Sequence, residues 1–225
     1  MPTATHRPLR EHLLAQRCFL LFVALLALMI SIPFVGDTLG GRRAIGFVNL
    51  VVLVTAIVAV ERARLALACA LLLGLPAFGF QLLALESGQP GHYVLSWGFN
   101  AMFYLFALAN LLHYVLRRDD MTGDKLYGAV AAYIMIGIVW AFGYGVLQYS
   151  HPGAFSLHGQ PKALDLAELI FFSFVVLTST GFGDIVPIIN QSRFLALFES
   201  MTGVMYVAIL IARLTGVYPV VDKRP

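Results

Sequence analysis

Long apolar runs separated by short charged breaks dominate this chain. A helix needs about 20 apolar residues to cross the hydrocarbon core of a bilayer. Six runs predict such spans: residues 18–35, 44–60, 65–85, 93–116, 126–147 and 194–214. A basic leader holding Arg7, Arg10 and Arg17 precedes the first run, which is long and has no A-x-A site after it. That pattern predicts a retained helix and not a cleaved signal peptide. The charged turn "ERAR" (Glu61 to Arg64) ends the second span, and "RRDD" (Arg117 to Asp120) ends the fourth. A seventh run, 164–177, reaches only about 20 Å as a helix and is too short to cross. Pro161 stands just before it, and Asp165 and Glu168 lie in its first turns, where helix starts favour acidic residues. The run predicts a re-entrant helix that enters the membrane and stops partway.

Composition agrees with this pattern. The chain is 60% hydrophobic and 12% charged, about half the charged fraction of a soluble domain. Of the fifteen Lys and Arg, eleven fall in the leader, the "ERAR" turn, residues 117–125 and the carboxyl end. The opposite side holds Arg42, Arg43, Lys162 and Arg193. Positive charge collects on the cytoplasmic side, so both termini are expected there, with the re-entrant segment outside. The basic balance is therefore a topology signal, and no nucleic-acid site is expected. Cys18 and Cys69, the two cysteines, both lie inside apolar runs and suggest neither a disulfide nor a metal site. No nucleotide fingerprint, nucleophile elbow or metal motif supports an enzyme, and no organic cofactor or small-molecule substrate is indicated.

Between the re-entrant helix and the last span stands "TSTGFGDIVP", residues 178–187. Irregular backbone at membrane depth is tolerated only where it is buried in protein or lines a water-filled cavity. Gly181 and Gly183 alternate with Thr180 and Phe182, and glycine reaches positive φ without steric cost. Such alternation turns successive carbonyls the same way, and a row of carbonyl oxygens replaces the lost water shell of a cation. Asp184 adds negative charge at the mouth, and Pro187 prevents helical continuation. The carboxyl end of the re-entrant helix points about half a negative charge into the membrane interior, which favours a dehydrated cation.

"LTSTGFGD" resembles the T-x-G-[YF]-G-D signature of the potassium-channel selectivity filter. The order of parts over residues 126–218 is also similar to that family's pore module: outer helix, pore helix, filter, inner helix. The resemblance implies a filter of Thr178, Ser179, Thr180, Gly181, Phe182 and Gly183, with Asp184 at the outer mouth. It implies potassium ions held at Ser179, Thr180, Gly181 and Phe182. Ser179 stands where the family has its innermost filter threonine, Thr180 where valine or isoleucine is usual, and Phe182 at the tyrosine position. Phe182 has no hydroxyl for the hydrogen bond that tyrosine makes behind the filter. Phe171 and Phe172 stand where many relatives have tryptophans, so the filter's support is expected to come from packing. One chain supplies one filter strand of the four required, which predicts a homotetramer.

The fourth span carries no arginine until its end at Arg117 and Arg118, so it lacks the charge ladder of a voltage sensor. Asn49, Asn100, Asn110 and His113 form no cluster in sequence, and interhelical hydrogen bonding is their expected role. Glu199, early in the inner helix, needs a partner if buried; Arg193 and the Ser173 hydroxyl are the candidates. It is a candidate for gating or for structure. Gly203 is a candidate hinge or a site of close packing, and Tyr206 and Ile209 are candidates to face the pore. His151 and His158 flank the turn before the pore helix and are expected to be solvated.

The expected fold is an all-α polytopic membrane protein of six transmembrane helices and one re-entrant pore helix. Its parts are a cytoplasmic leader (1–17), a four-helix region without sensor charges (18–120), a pore module (121–218) and a short cytoplasmic tail (219–225). The expected function is passive, potassium-selective conduction as a homotetramer in the plasma (inner) membrane. The alternatives are a weakly selective monovalent cation channel, a membrane subunit of a potassium-uptake system, and a non-conducting sensor. Candidate gating stimuli are the filter itself, membrane tension, pH or a partner.

Overall fold

The computed structural model describes residues 16–34, 39–59, 64–117 and 122–217. The expectations for most of the leader, for the "ERAR" turn, for the end of the "RRDD" run and for the tail lie outside these residues. In chain order the elements are α1 (Arg17–Phe34), α2 (Leu39–Ala59), α3 (Arg64–Ser87), α4 (Pro90–Val115) and α5 (Gly123–Ser150). There follow β1 (Phe155–Leu157), β2 (Gln160–Pro161), α6 (Leu166–Leu177), β3 (Ile185–Pro187) and α7 (Asn190–Val217).

Among the described residues, five helical stretches are long and apolar enough to cross a membrane: Arg17–Phe34, Ala68–Ser87, Gly91–Val115, Gly123–Ser150 and Asn190–Thr215. The chain is therefore a multi-pass membrane protein. Helix α2 has 21 residues, but its described apolar part, Arg43–Ile57, is shorter than a span. Most of the helices run a few residues beyond the apolar stretches that predict them. Helix α5, for example, begins at an N-cap, Thr122, whose side chain accepts the Lys125 N–H.

The expectation of a wholly helical fold needs one correction. Outside the bundle, β2, β1 and β3 form a three-stranded antiparallel sheet in that order. Strands β1 and β2 are joined by the two-residue turn His158–Gly159, with φ of 50° and 79°. Positive φ at both central residues suits the right-handed twist of a tight hairpin. Strand β1 also pairs with β3, Phe155 opposite Pro187 and Leu157 opposite Ile185. This sheet ties the loop before α6 to the loop after it.

Helix α5 is the core of the bundle, with buried residues running along it from Lys125 to Gly145. Its first turn also holds α1 in place: Asp124 Oδ1 accepts the Cys18 N–H at 3.0 Å and the Phe19 N–H at 3.4 Å. A carboxylate thus caps a helix start that leaves N–H groups unpaired and carries partial positive charge. At the same end of the bundle, Arg213 of α7 donates to the carbonyls of Leu116 and Arg117 at the end of α4, the complementary arrangement for a helix terminus.

The polar residues of α2 and α4 do form a cluster, contrary to their scatter in sequence. Asn49 Nδ2 donates to Asn100 Oδ1 at 3.1 Å, and the Tyr104 hydroxyl donates to Asn49 Oδ1 at 2.8 Å. Asn100 donates in turn to the Ser96 carbonyl at 2.9 Å. All four residues are buried. Asn110 bonds only within its own helix, and His113 is exposed. Replacing Asn49 by alanine leaves the Tyr104 hydroxyl without an acceptor in an apolar interior. The expected cost is about 1–2 kcal/mol, read as a lower thermal midpoint of the purified protein; an unchanged midpoint refutes it.

Candidate functional site

Helix α6 has 12 residues, about 18 Å, or roughly half of a bilayer with its interfaces. Its start is doubly secured. Asp165 and Glu168 form a capping box, the Asp165 side chain accepting the Glu168 N–H at 2.8 Å and the Glu168 side chain accepting the Asp165 N–H at 3.0 Å. Gln148 of α5 pairs with the backbone of Leu164 on both sides, accepting its N–H at 2.9 Å and donating to its carbonyl at 2.7 Å. Lys162 meets Glu168 at 2.6 Å. Loop and helix start are thereby pinned to α5.

The end of α6 is the origin of the irregular segment. Thr178 is its C-cap. The Ser179 N–H donates to the Val176 carbonyl, and the Thr180 N–H to the Val175 carbonyl, each at 2.9 Å. These two bonds, with the residue between them left-handed, make a Schellman motif. The left-handed position is Ser179, at φ 56°, where glycine is usual. Gly181 and Gly183 follow at φ 65° and 82°. Positive φ therefore recurs at every second residue, 179, 181 and 183, with Thr180 and Phe182 between at negative φ. The glycine alternation was legible in the sequence; the third position was not, because serine gives no signal of left-handed backbone.

Side chains brace the segment. The Thr178 hydroxyl donates to the Phe174 carbonyl at 2.7 Å and meets the Thr180 hydroxyl at 2.8 Å. Ser179 Oγ lies 3.1 Å from Ser200 Oγ on α7. The Phe182 ring stacks on Phe171 of α6, centroids 6.1 Å apart and planes within 5°. Phe172 is buried edge-on against Tyr144 and Phe155. At the far end, the Asp184 carbonyl accepts the His158 N–H at 2.9 Å, so the hairpin turn touches the residue that follows the segment. The side chains of His151 and His158 are exposed.

Residues 178–183 are all exposed along one side of the chain, Phe182 at 68%. Helix α7 beside them has three buried residues among those described, Ser192, Glu199 and Gly203, spaced seven and four apart on one stripe. Its large apolar side chains, among them Phe194, Leu197, Phe198, Met201 and Ile209, are exposed. A helix apolar all round belongs in lipid or against another protein surface. Tyr206 is half-buried, and its hydroxyl donates to the Ala129 carbonyl of α5 at 2.6 Å.

Glu199 is fully buried, at 0% exposure. Of its expected partners, Ser173 is found, with Oγ 2.5 Å from Glu199 Oε1. Arg193 makes no ion pair with it; it lies six residues earlier on α7 and points out. The second partner is the Tyr144 hydroxyl of α5, 2.5 Å from Oε2. Tyr144 lies 55 residues away in sequence, and nothing local marked it. At Gly203 an added Cβ would stand 2.0 Å from the Leu177 carbonyl oxygen, so α7 touches the backbone at the end of α6. The Leu177 carbonyl also faces the Tyr133 hydroxyl at 3.4 Å.

No curated protein and no solved structure matches the chain. Residues 130–218, less than half of the chain but the whole of the site, match a family model described as "Ion channel", which supports an ion-channel family.

Proposed function

We propose that four copies of this chain form a passive, potassium-selective channel, with residues 178–183 as one strand of its selectivity filter. Ser179, Thr180, Gly181 and Phe182 supply the potassium ligands, and Asp184 stands at the outer mouth. The observation that carries this reading is the alternation of backbone handedness at Ser179, Gly181 and Gly183 on an exposed segment at the end of a half-membrane helix. Alternating handedness turns successive carbonyls to one side, and four such rows around an axis replace a cation's hydration shell. The exposed segment and the bare apolar face of α7 support a partner surface, and a second copy satisfies both. Helices α1 to α4 form a collar on the pore module, with α2 completing six spans. The distribution of basic residues supports both termini on the cytoplasmic side, and the resemblance to potassium channels supports the plasma membrane. Glu199 and Gly203 couple the inner helix to the pore helix.

A weakly selective cation pore is the second reading. Phe182 braces the segment by stacking on Phe171 and not through a hydroxyl, and stacking restrains the segment along one direction only. The reversal potential of the purified protein in a planar bilayer, with potassium on one side and sodium on the other, decides between them. The expected value lies close to potassium's equilibrium potential. A value near zero overturns potassium selectivity in favour of the second reading, and absence of current overturns both.

A further inference from the structure

Three short oxygen–oxygen contacts meet behind the pore helix. Tyr144 Oη lies 2.5 Å from Glu199 Oε2, Ser173 Oγ lies 2.5 Å from Glu199 Oε1, and Ser173 Oγ lies 2.7 Å from the Gly137 carbonyl oxygen. Two oxygens at such distances need a proton between them. Tyrosine and serine hydroxyls bring one proton each, and a carbonyl brings none. Two protons cannot serve three contacts. An ionised carboxylate would take both hydroxyl protons and leave Ser173 Oγ facing the Gly137 carbonyl lone pair to lone pair at 2.7 Å. A neutral carboxyl group resolves the count. Tyr144 then donates to Oε2, Glu199 donates from Oε1 to Ser173, and Ser173 donates to Gly137.

The surroundings agree with a neutral group. Glu199, Ser173 and Tyr144 are each fully buried, at 0% exposure. Among the described residues no basic side chain bonds to Glu199; its partners are the two hydroxyls. A buried charge without a counter-ion is costly, whereas a neutral acid with every hydrogen bond made is not.

We infer that Glu199 carries a proton and, through it, closes a hydrogen-bond chain Tyr144–Glu199–Ser173–Gly137 that holds the pore helix between the outer and inner helices. The chain joins α5, α6 and α7 at one point. Ser173 lies on the last half of α6, four residues before Leu177 and six before Ser179. Glu199 is thus a positioning residue for the segment that begins at Thr178. Its effect on current rests on the channel reading above, but its protonation does not.

Glu199→Gln is the discriminating variant. A glutamine amide reproduces the neutral pattern, its oxygen accepting from Tyr144 and its N–H donating to Ser173. It cannot reproduce an ionised one, which accepts from both. Currents in planar bilayers and thermal midpoints are measured for the wild type, Glu199→Gln, Glu199→Asp and Glu199→Ala, with infrared spectra at neutral pH. Glu199→Gln is expected to keep current within about twofold of wild type, while Glu199→Asp, too short to reach both partners, and Glu199→Ala lose at least tenfold. The wild-type minus Glu199→Gln spectrum is expected to show the carbonyl stretch of a protonated carboxylic acid. Loss of carboxylate bands in its place, or a glutamine variant as impaired as the alanine one, overturns the inference. If the wild type itself carries no current, the channel reading fails, and the infrared band still supports or overturns the proton.

Discussion

Gly203→Ala is expected to abolish current and to lower the thermal midpoint of the purified protein by roughly 3–10 °C, from about 1–3 kcal/mol of overpacking. The added methyl group would lie 2.0 Å from the Leu177 carbonyl oxygen and 3.0 Å from its carbon. Carbon and oxygen normally approach no closer than about 3.3 Å even in favourable contacts, so α7 and the end of α6 must separate by more than about 1 Å. Both contacts are to backbone, which cannot swing aside as a side chain can. Leu177 immediately precedes Thr178, so the displacement falls on the candidate filter itself. The Ser179–Ser200 contact, which joins the same two elements at 3.1 Å, is lost with it. The measurement is bilayer current alongside a thermal melt. An alanine variant that conducts at the wild-type level refutes the close-packing account of this glycine.

The same variant separates the two roles expected of Gly203. A hinge loses flexibility when alanine replaces glycine but gains helix stability. A contact point loses stability. The direction of the midpoint shift therefore distinguishes them, and the 2.0 Å approach predicts a loss.

Gly181→Ala and Gly183→Ala are each expected to eliminate potassium current with little change in thermal midpoint. An added Cβ meets nothing of its own chain within 4 Å at either position, and both glycines stand at positive φ, so a conformational effect is expected. Left-handed backbone costs an L-residue about 1–2 kcal/mol, and in the proposed tetramer each of the four strands carries that cost. Ser179 accepts the same conformation because the Schellman bonds from Ser179 and Thr180 enforce it. Among the described residues no backbone bond of that kind holds the N–H of Gly181 or Gly183, so an L-alanine there is free to flip its peptide and turn a carbonyl away from the ion path. A D-alanine at the same position, introduced by chemical ligation, takes positive φ without that cost and is expected to restore current. An L-alanine variant that conducts with unchanged selectivity overturns the filter reading.

The positions of the apolar helices, the half-membrane length of α6 and the two glycines at positive φ were legible in the sequence. The reason is that each follows from a local constraint. A bilayer demands a minimum apolar length and internal pairing of every backbone group, so hydropathy along the chain is enough to locate helices. The acidic pair Asp165 and Glu168 likewise marked the start of α6, although the capping box they form was seen only in the structure. Glycine marks positive φ because other residues resist it.

Other features had no local mark. Ser179 is left-handed because the last turn of α6 closes with two particular bonds, and a serine carries no signature of that. The Asn49–Asn100–Tyr104 cluster joins residues 51 and 55 apart. The hairpin over residues 155–161 pairs with β3 across the whole of α6. Glu199 was conspicuous in sequence, but its partners were set by which faces of α5, α6 and α7 meet. Tyr144 and Ser173 stand 55 and 26 residues from it. Whether Gly203 bends or packs was equally open until Leu177 was found against it. The apolar content of the chain determined that it enters a membrane and where its helices run. The tertiary structure alone decided which polar groups answer one another, because hydrogen bonds between helices depend on facing surfaces, and hydropathy does not encode those.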